Sequence, residues 1–177
     1  MELAPFTPYM SKPTDGSRQE ITRQIMIESG ESNQKIIRGF VQIIAMEGPI
    51  LSNRLFTLYS KKGGFGKLSG KTTRRFYSAL KSSIQDGTIK MEWDTEDANT
   101  QALLWLPSMG RVVTREYGNR GFDDIPASEL GEVIFELATE VGEDKHSIYE
   151  ALTKLYGLKQ LPKNAERRLD PIYATIL

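Results

Sequence analysis

The segment GGFGKLSGKT, at positions 63–72, ends in the Gly-Lys-Thr of a phosphate-binding loop. Such a loop needs its first glycine five positions before the second, because a fixed number of backbone N–H groups must wrap the phosphates. Phe65 stands at that position, and the residues before the segment are helix-like rather than strand-like. We therefore interpret these glycines as a turn between two helices, and not as a nucleotide site.

A cationic helix face directly after this turn is a second candidate for chemistry. At about 100° per residue, a helix over 70–84 places its basic side chains opposite Phe76, Leu80 and Ile84. In helix-turn-helix proteins the corresponding helix enters the major groove of DNA. The candidate nucleic-acid contacts are Lys67, Lys71, Arg74, Arg75 and Lys81 around this helix, Arg111, Arg115 and Arg120 further along, and Arg167 and Arg168 in a later helix.

Catalytic and metal chemistry find no matching set of residues. The chain has no cysteine, which excludes disulfides, thiolate nucleophiles and zinc–sulfur sites. The single histidine, His146, is predicted to lie at a helix start, where a surface or capping role is the simpler interpretation. Two acids at repeat-related positions, Glu47 and Glu140, are interpreted as structural. We expect a protein that is not an enzyme and has neither a metal nor a cofactor.

Composition is that of an ordinary globular protein. The 177 residues are 39% hydrophobic and 26% charged, with a formal net charge of zero. A neutral chain is weak evidence against a protein that works mainly by holding polyanions. No apolar run approaches the ~20 residues of a membrane span, and the N-terminus does not resemble a signal peptide. We expect a cytoplasmic protein without a membrane partner.

An internal repeat organises the chain. Shifted by 93 positions, the sequence aligns with itself without a gap, and apolar positions agree over three predicted helices. The first helix of copy one stops at Gly48-Pro49, because proline cannot continue it. The second helices begin near Ser52 and Ser147, each predicted to cap its helix with its side chain, and end at Gly64 and Gly157. The third helices span about 70–84 and about 163–176.

Copy one continues into a predicted β-hairpin. TIKMEW alternates apolar and polar residues, a polar turn follows, and QALLWLP supplies a second strand. Three helices followed by a hairpin are typical of a winged helix. Copy two ends after its third helix and has no predicted wing.

The predicted fold class is mainly α with a small β-hairpin wing, as duplicated, tandem winged-helix-like modules. Residues 1–33 are predicted to form an extended arm, in which RQEITRQIMIE is a candidate short helix. Residues 34–107 are the first winged-helix module, 108–124 a basic connector, and 125–177 a second three-helix module without a wing.

Four segments carry a resemblance to a known family of domains: VQIIAMEGPILSNRL, GFGKLSGKTTRRF, IPASELGEVIFEL and LYGLKQLPKNAERRL. Together they resemble a domain of unknown function found at the C-terminal end of large bacterial proteins, after a superfamily-one helicase core and often a Vsr-like nuclease domain. The resemblance covers residues 34–177. It implies tandem winged helices that engage nucleic acid beside a motor or nuclease, and it implies no catalytic residue.

Two functions stay open on the sequence. The first is a non-catalytic nucleic-acid-binding accessory domain, with DNA the expected ligand, that acts with a helicase or nuclease. The second is a protein–protein interaction or self-association module. The acidic residues of the hairpin favour the second: Glu92, Asp94, Glu96 and Asp97 repel phosphates. For Trp93 and Trp105 we expect packing across the hairpin and onto the core rather than stacking on bases.

Overall fold

A computed structural model describes all residues, 1–177. The chain is mostly helical with one small antiparallel sheet. Its elements in chain order are α1 (Ser17–Met26), α2 (Gly30–Glu47), β1 (Ile50–Leu51), α3 (Ser52–Lys61), α4 (Gly70–Gln85), β2 (Lys90–Trp93), β3 (Ala102–Trp105), α5 (Ala127–Val141), α6 (Lys145–Leu155) and α7 (Ala165–Ile176). A short 3-10 helix, Phe122–Asp124, precedes α5.

The chain divides into two compact units. The N-terminal unit comprises residues 8–111, and the C-terminal unit comprises residues 1–7 and 112–177. The division differs from the predicted arm and connector, neither of which stands apart. Residues 8–33 belong to the N-terminal unit, while residues 1–7 and 112–124 belong to the C-terminal one.

Three phenylalanines hold the helices of the N-terminal unit together. Phe40 of α2, Phe56 of α3 and Phe76 of α4 are fully buried, with ring centroids 5.3–5.5 Å apart. Such contacts add to the stabilisation from burying the rings themselves. The helix α2 starts at a capping box, in which Ser29 and Ser32 exchange side-chain and backbone hydrogen bonds. It ends at Glu47, before Gly48-Pro49, as predicted.

The predicted hairpin is confirmed, and a third strand joins it. Strands β2 and β3 pair antiparallel, with Lys90 opposite Trp105 and Trp93 opposite Ala102. Strand β1 pairs antiparallel with the other edge of β3, so the order is β1-β3-β2. The sequence did not reveal β1, because two apolar residues directly before a helix show no alternation.

The helix α1 replaces much of the predicted arm. Its one buried apolar residue, Ile21, joins the core of the N-terminal unit, and Gln24 is buried beside it. The chain before it is fixed by hydrogen bonds, from the Tyr9 amide to Glu47 Oε1 at 2.7 Å and from the Ser11 hydroxyl to the Leu58 carbonyl at 2.5 Å. An extended arm is therefore the wrong description of residues 8–33, whereas the candidate short helix RQEITRQIMIE is confirmed as α1.

The C-terminal unit packs α5, α6 and α7 around a second core. Leu130, Val133 and Ile134 of α5 meet Ile148 and Leu152 of α6. The first residues of the chain complete this unit. Ala4 forms a parallel bridge with Arg115, donating to the Thr114 carbonyl at 3.0 Å and accepting from the Glu116 amide at 2.9 Å.

The ungapped repeat alignment is wrong by one residue in the first helix. In α2 the buried apolar residues are Ile36, Phe40, Ile43 and Ile44, and in α5 they are Leu130, Val133, Ile134, Leu137 and Ala138. A shift of 94 matches these burial phases, whereas the starts of α3 and α6 keep the shift of 93. The reason is a connection between first and second helices that is one residue longer in the N-terminal unit.

The glycine-rich segment at 63–72 forms the turn predicted for it. The helix α3 ends at Lys61, and Gly64 takes a left-handed φ of 73°. Gly157, its repeat counterpart after α6, has a φ of 65°. Residues other than glycine seldom adopt this conformation, which turns the chain out of a helix. None of the helices is long and apolar enough to traverse a bilayer.

Candidate nucleic-acid interface

The helix α4 separates an apolar face from a basic one. It begins where the Ser69 hydroxyl accepts a hydrogen bond from the Thr72 amide at 3.1 Å, a side-chain cap for an otherwise free N–H. Phe76, Ala79 and Leu80 are fully buried and pack in the core with α2. This packing fixes the direction in which the opposite face points.

Three of the predicted contacts lie together on the exposed face of α4. Lys71, Arg74 and Lys81 are exposed and form no ion pair, and Lys67 is exposed in the preceding loop. Lys71 Nζ lies 3.8 Å from Met26 Sδ at the end of α1. We call Lys71, Arg74 and Lys81 the α4 face.

Arg75 does not belong to the α4 face, contrary to the prediction. Its side chain is only 6% exposed. Nε donates to the Gln24 carbonyl at 2.9 Å, and Nη2 donates to Ser32 Oγ at 2.8 Å. Arg75 lies one turn before buried Ala79, on the flank of α4 that α1 covers. Its guanidinium therefore ties α4 to the end of α1 and the start of α2.

One acid lies beside the α4 face. Ser78 is exposed on α4, and its hydroxyl donates a hydrogen bond to Glu28 Oε1. Glu28 lies in the connection between α1 and α2, a segment for which no sequence pattern predicts a contact with α4. The face is thus basic at Lys71, Arg74 and Lys81, with a single carboxylate at its side.

Arg111 is exposed, but it serves the hairpin. Its Nε and Nη2 lie 2.6 Å and 2.5 Å from Glu92 Oε1. The pair neutralises one of the four hairpin acids, and such an exposed pair adds little stability. Arg111 is consequently a weaker phosphate contact than the prediction assumed.

Arg115 and Arg120 are buried, so the predicted basic track along 108–124 is wrong. Glu129, near the start of α5, lies between them and is 1% exposed. Its Oε2 is 2.8 Å from Arg115 Nη2 and 2.9 Å from Arg120 Nη1, and the Arg115 amide donates to Oε1 at 3.0 Å. The Phe6 ring lies 4.7 Å from the Arg120 guanidinium carbon. These arginines join the connector to α5.

The helix α7 offers a poorer basic surface. Arg167 is exposed, but Arg168 is half-buried and donates from Nη2 to the Ile125 carbonyl at 2.5 Å. Glu166 and Asp170 flank the pair in sequence. Asp170 Oδ1 accepts a hydrogen bond from the Tyr149 hydroxyl at 2.7 Å, which lowers the pKa of Asp170. The same oxygen lies 3.4 Å from Lys145 Nζ, so Asp170 is paired within its own unit.

Charge is distributed unevenly between the units. The N-terminal unit has 15 Lys and Arg against 10 Asp and Glu, a net charge of +5. The C-terminal unit has 8 against 13, a net charge of −5. The zero net charge of the chain conceals this division. It therefore gives no evidence against polyanion binding by the N-terminal unit.

The hairpin tryptophans do not pack as predicted. Trp93 is 58% exposed and stands opposite Ala102, while half-buried Trp105 stands opposite Lys90 at the other end of the ladder. Packing of Trp93 onto the core is therefore wrong. Around Trp93, Asp94 is partly exposed, and Glu96 and Asp97 are fully exposed.

The other polar residues considered in the sequence analysis each have a charged partner. His146 is exposed, with Nε2 3.1 Å from Glu150 Oε1 one turn later. Glu47 is buried against Arg54, at 2.5 Å between Oε2 and Nε, whereas Glu140 is exposed and 2.7 Å from the amino group of Met1. No group of three or more His, Asp or Glu is arranged to hold a metal ion.

Comparisons with known proteins return no relative. The chain matches no protein-family model, no curated protein and no solved structure.

Proposed function

We propose that the N-terminal unit is a winged helix that binds DNA through the α4 face. The order helix, short strand, two helices and hairpin supports this, as does a sheet in which β1 pairs beside the hairpin strands. In that arrangement α4 is the recognition helix, the element that enters the major groove. The C-terminal unit repeats the three helices without the hairpin, which supports a tandem pair.

The observation that carries the proposal is the α4 face itself. Its three cations, Lys71, Arg74 and Lys81, are exposed and have no carboxylate partner. They lie on the side of α4 opposite the buried core, in a unit of net charge +5. Phosphate contacts by lysine and arginine supply most of the affinity of non-specific DNA binding. With about four such contacts, the α4 face and Lys67, affinity falls by roughly two decades between 50 and 200 mM salt.

The proposed role is that of a non-catalytic accessory. No constellation for acid–base or nucleophilic chemistry accompanies the basic face. We propose that the chain delivers or holds DNA for a helicase or nuclease, the partners implied by the resemblance of residues 34–177.

A charge-reversal pair tests the α4 face. We compare Lys71→Glu/Arg74→Glu with Lys163→Glu/Arg167→Glu, which makes the same charge change at and beside the repeat-related positions of the C-terminal unit. Loss of two phosphate contacts lowers affinity about 60-fold at 0.1 M salt. Fluorescence anisotropy with a labelled duplex measures this, at several salt concentrations. Equal losses in both variants, or no binding by the wild type at 50 mM salt, would remove the proposal.

Protein–protein docking is the second candidate, and the C-terminal unit favours it. Phe135 of α5 is 53% exposed between Glu132 and Glu136, which are also exposed. Exposed aromatic residues are enriched at interfaces. If self-association is the function, sedimentation shows a dimer that Phe135→Asp abolishes; a monomer at high concentration rejects self-association.

A further inference from the structure

A groove in the N-terminal unit lies between α1, α2 and the chain that precedes α1. Its volume is about 550 Å³, within the range of ligand sites in proteins. Tyr9 and Lys12 line one side, Ser17 and Gln24 of α1 another, and Arg38 of α2 a third. We call it the α1–α2 groove.

The lining of the α1–α2 groove is basic. Its charged residues are Lys12, Lys35, Arg38, Lys62 and the single acid Glu20. Lys12 and Arg38 are exposed and form no ion pair. Lys62 Nζ lies over the rings of Tyr9 and Tyr59, at 5.4 Å and 5.5 Å from the centroids. Three of the four cations thus have no carboxylate.

Lys35 is the exception. Its Nζ lies 3.3 Å from Glu20 Oε1 and 3.3 Å from Glu31 Oε1, and these carboxylates raise the pKa of Lys35. Glu31 is not part of the groove lining. The pair fixes Lys35 at the rim and leaves an excess of positive charge inside.

A buried positive charge stands behind the wall of the groove. The Tyr59 hydroxyl donates to Gln24 Oε1 at 2.5 Å, and the carbonyl of the same Gln24 accepts from Arg75. Arg75 is buried without a carboxylate, and its Nη1 has no hydrogen-bond partner. A buried charge that lacks a counter-charge favours an anion in the adjacent space.

The open shape and the donors suit an extended polyanion. The guanidinium of Arg38 and the ammonium groups of Lys12 and Lys62 are the donors that proteins use for phosphate. Met10, at the rim, is 69% exposed and offers an apolar surface beside the charges. A basic groove with apolar and aromatic side chains is the usual surface for a nucleic-acid backbone and its bases.

We propose that the α1–α2 groove binds phosphate groups of the same nucleic acid, as a second contact besides the α4 face. The inference rests on the proposed function, because it assigns a further part of one binding surface. Lys12 and Arg38 make the phosphate contacts, and Lys62 supports them from above the tyrosine rings.

The test uses the full chain with Lys12→Glu/Arg38→Glu, beside the α4-face pair and a control pair, Lys154→Glu/Lys159→Glu, on exposed positions of the C-terminal unit. We expect the groove variant to reduce the slope of log affinity against log salt by about 1.8, since each lost contact removes about 0.9. At 0.1 M salt that is about 60-fold. Lys12→Gln/Arg38→Gln checks that the loss does not require added negative charge.

The outcomes separate the two proposals. If the groove variants bind duplex and single-stranded oligonucleotides like the control pair while the α4-face pair loses affinity, the groove inference fails and the proposed function stands. If the wild type binds no oligonucleotide, both fail. Thermal stabilisation by tripolyphosphate that is lost in the groove variants, without any change in oligonucleotide affinity, reassigns the groove to a free phosphate ligand and overturns the inference.

Discussion

The third helices of the two units carry the same pair of arginines and use them alike. In α4 the pair is Arg74 and Arg75, and in α7 it is Arg167 and Arg168, 93 positions later. The first arginine of each pair is exposed, and the second turns inward. Arg75 donates to the carbonyl of Gln24 in α1, the helix before α2, and Arg168 donates to the carbonyl of Ile125, just before α5.

The two arginine pairs differ in the charges that surround them. Beside Arg74 the exposed face is basic, and the N-terminal unit has a net charge of +5. Beside Arg167 stand Glu166 and Asp170, in a unit of net charge −5. The repeated arginine pair therefore indicates a structural hydrogen bond made by its second arginine. Whether the surface around the first arginine suits a polyanion depends on the neighbouring charges.

The units also differ in how they accommodate buried charge. In the C-terminal unit two guanidinium groups share the Glu129 carboxylate. In the N-terminal unit Glu47 pairs with Arg54, but Arg75 has only neutral partners. Removing one partner of a buried ion pair costs far more than removing a hydrogen bond, so the units should respond unequally to substitution.

The largest expected effect comes from Glu129→Gln. It leaves two buried guanidinium groups without a counter-charge, which destabilises the C-terminal unit by about 3–5 kcal/mol. Both tryptophans, Trp93 and Trp105, lie in the N-terminal unit. Urea unfolding is therefore followed in two ways, by circular dichroism for all helices and by tryptophan fluorescence for the N-terminal unit.

We expect Glu129→Gln to shift the dichroism transition and to leave the fluorescence midpoint unchanged. Glu132→Gln, at an exposed acid of the same helix, is the matched control and should change stability by less than about 0.5 kcal/mol. A stability of the glutamine variant within 1 kcal/mol of the wild type would contradict the assigned role of Glu129.

The next largest effect is the loss of stability when either inward arginine, Arg75 or Arg168, is replaced. Arg75→Met removes two charge-assisted hydrogen bonds and a buried charge, and we expect a loss of about 2 kcal/mol in the N-terminal unit. Arg168→Met removes the bond to the Ile125 carbonyl at a half-buried position, with an expected loss of about 1 kcal/mol. Fluorescence follows the first variant and dichroism the second.

Arg74→Met is the control for this comparison. It should leave the fluorescence midpoint unchanged and reduce DNA affinity strongly. Arg75→Met should lower the midpoint and reduce DNA affinity less, because its buried charge acts on the groove only from a distance. If Arg75→Met leaves the fluorescence midpoint unchanged, the assignment of Arg75 to architecture is wrong.

Periodicity predicted the helices, because each buries a continuous apolar stripe that a sequence displays directly. It did not predict which flank of α4 a neighbour covers, since α1 reaches that flank from 51 positions away, at Gln24. Adjacent Arg74 and Arg75 differ by about 100° around the helix, enough to separate exposed from buried. The prediction failed at this boundary.

The prediction of exposed arginines in the connector is wrong for a related reason. A basic residue in a polar segment is expected to be solvated, yet Arg115 and Arg120 pair with Glu129. One signal was present: Glu129 directly precedes Leu130 and shares the buried side of α5. An acid on an apolar face predicts a buried cationic partner, because an unpaired carboxylate there is costly.

The smallest expected effect concerns how the second helices begin. The predicted caps Ser52 and Ser147 are wrong, because both lie inside their helices. Leu51 stands at the N-cap of α3, makes no side-chain cap and pairs in β1 with Leu103. The repeat-related residue is Asp144, which accepts hydrogen bonds from the amide and hydroxyl of Ser147 at 2.8 Å and 2.9 Å. The unit without a sheet thus starts its helix with a side-chain cap.

These hydrogen bonds lower the pKa of Asp144 below its ordinary value of 3.8. A carboxyl whose pKa is lowered on folding stabilises the protein above that ordinary value, and the contribution disappears as pH falls through the lowered pKa. Asp144→Ala should lower the melting temperature at pH 7. Asp144→Asn should lower it less, because asparagine also caps a helix but carries no charge for its dipole.

Melting curves of the wild type and of Asp144→Asn are recorded by circular dichroism from pH 7 to pH 2. Their difference isolates the contribution of the Asp144 charge, because both side chains cap a helix. We expect the difference in melting temperature to hold from pH 7 to about 5, to decrease as pH falls below the ordinary pKa of 3.8, and to vanish only below the lowered pKa of folded Asp144. Glu143→Gln removes an adjacent charge that does not cap the helix, and it should not reproduce this profile. A difference that is independent of pH would mean that the carboxylate charge contributes nothing, and that α6 relies on hydrogen bonds alone where α3 relies on the sheet.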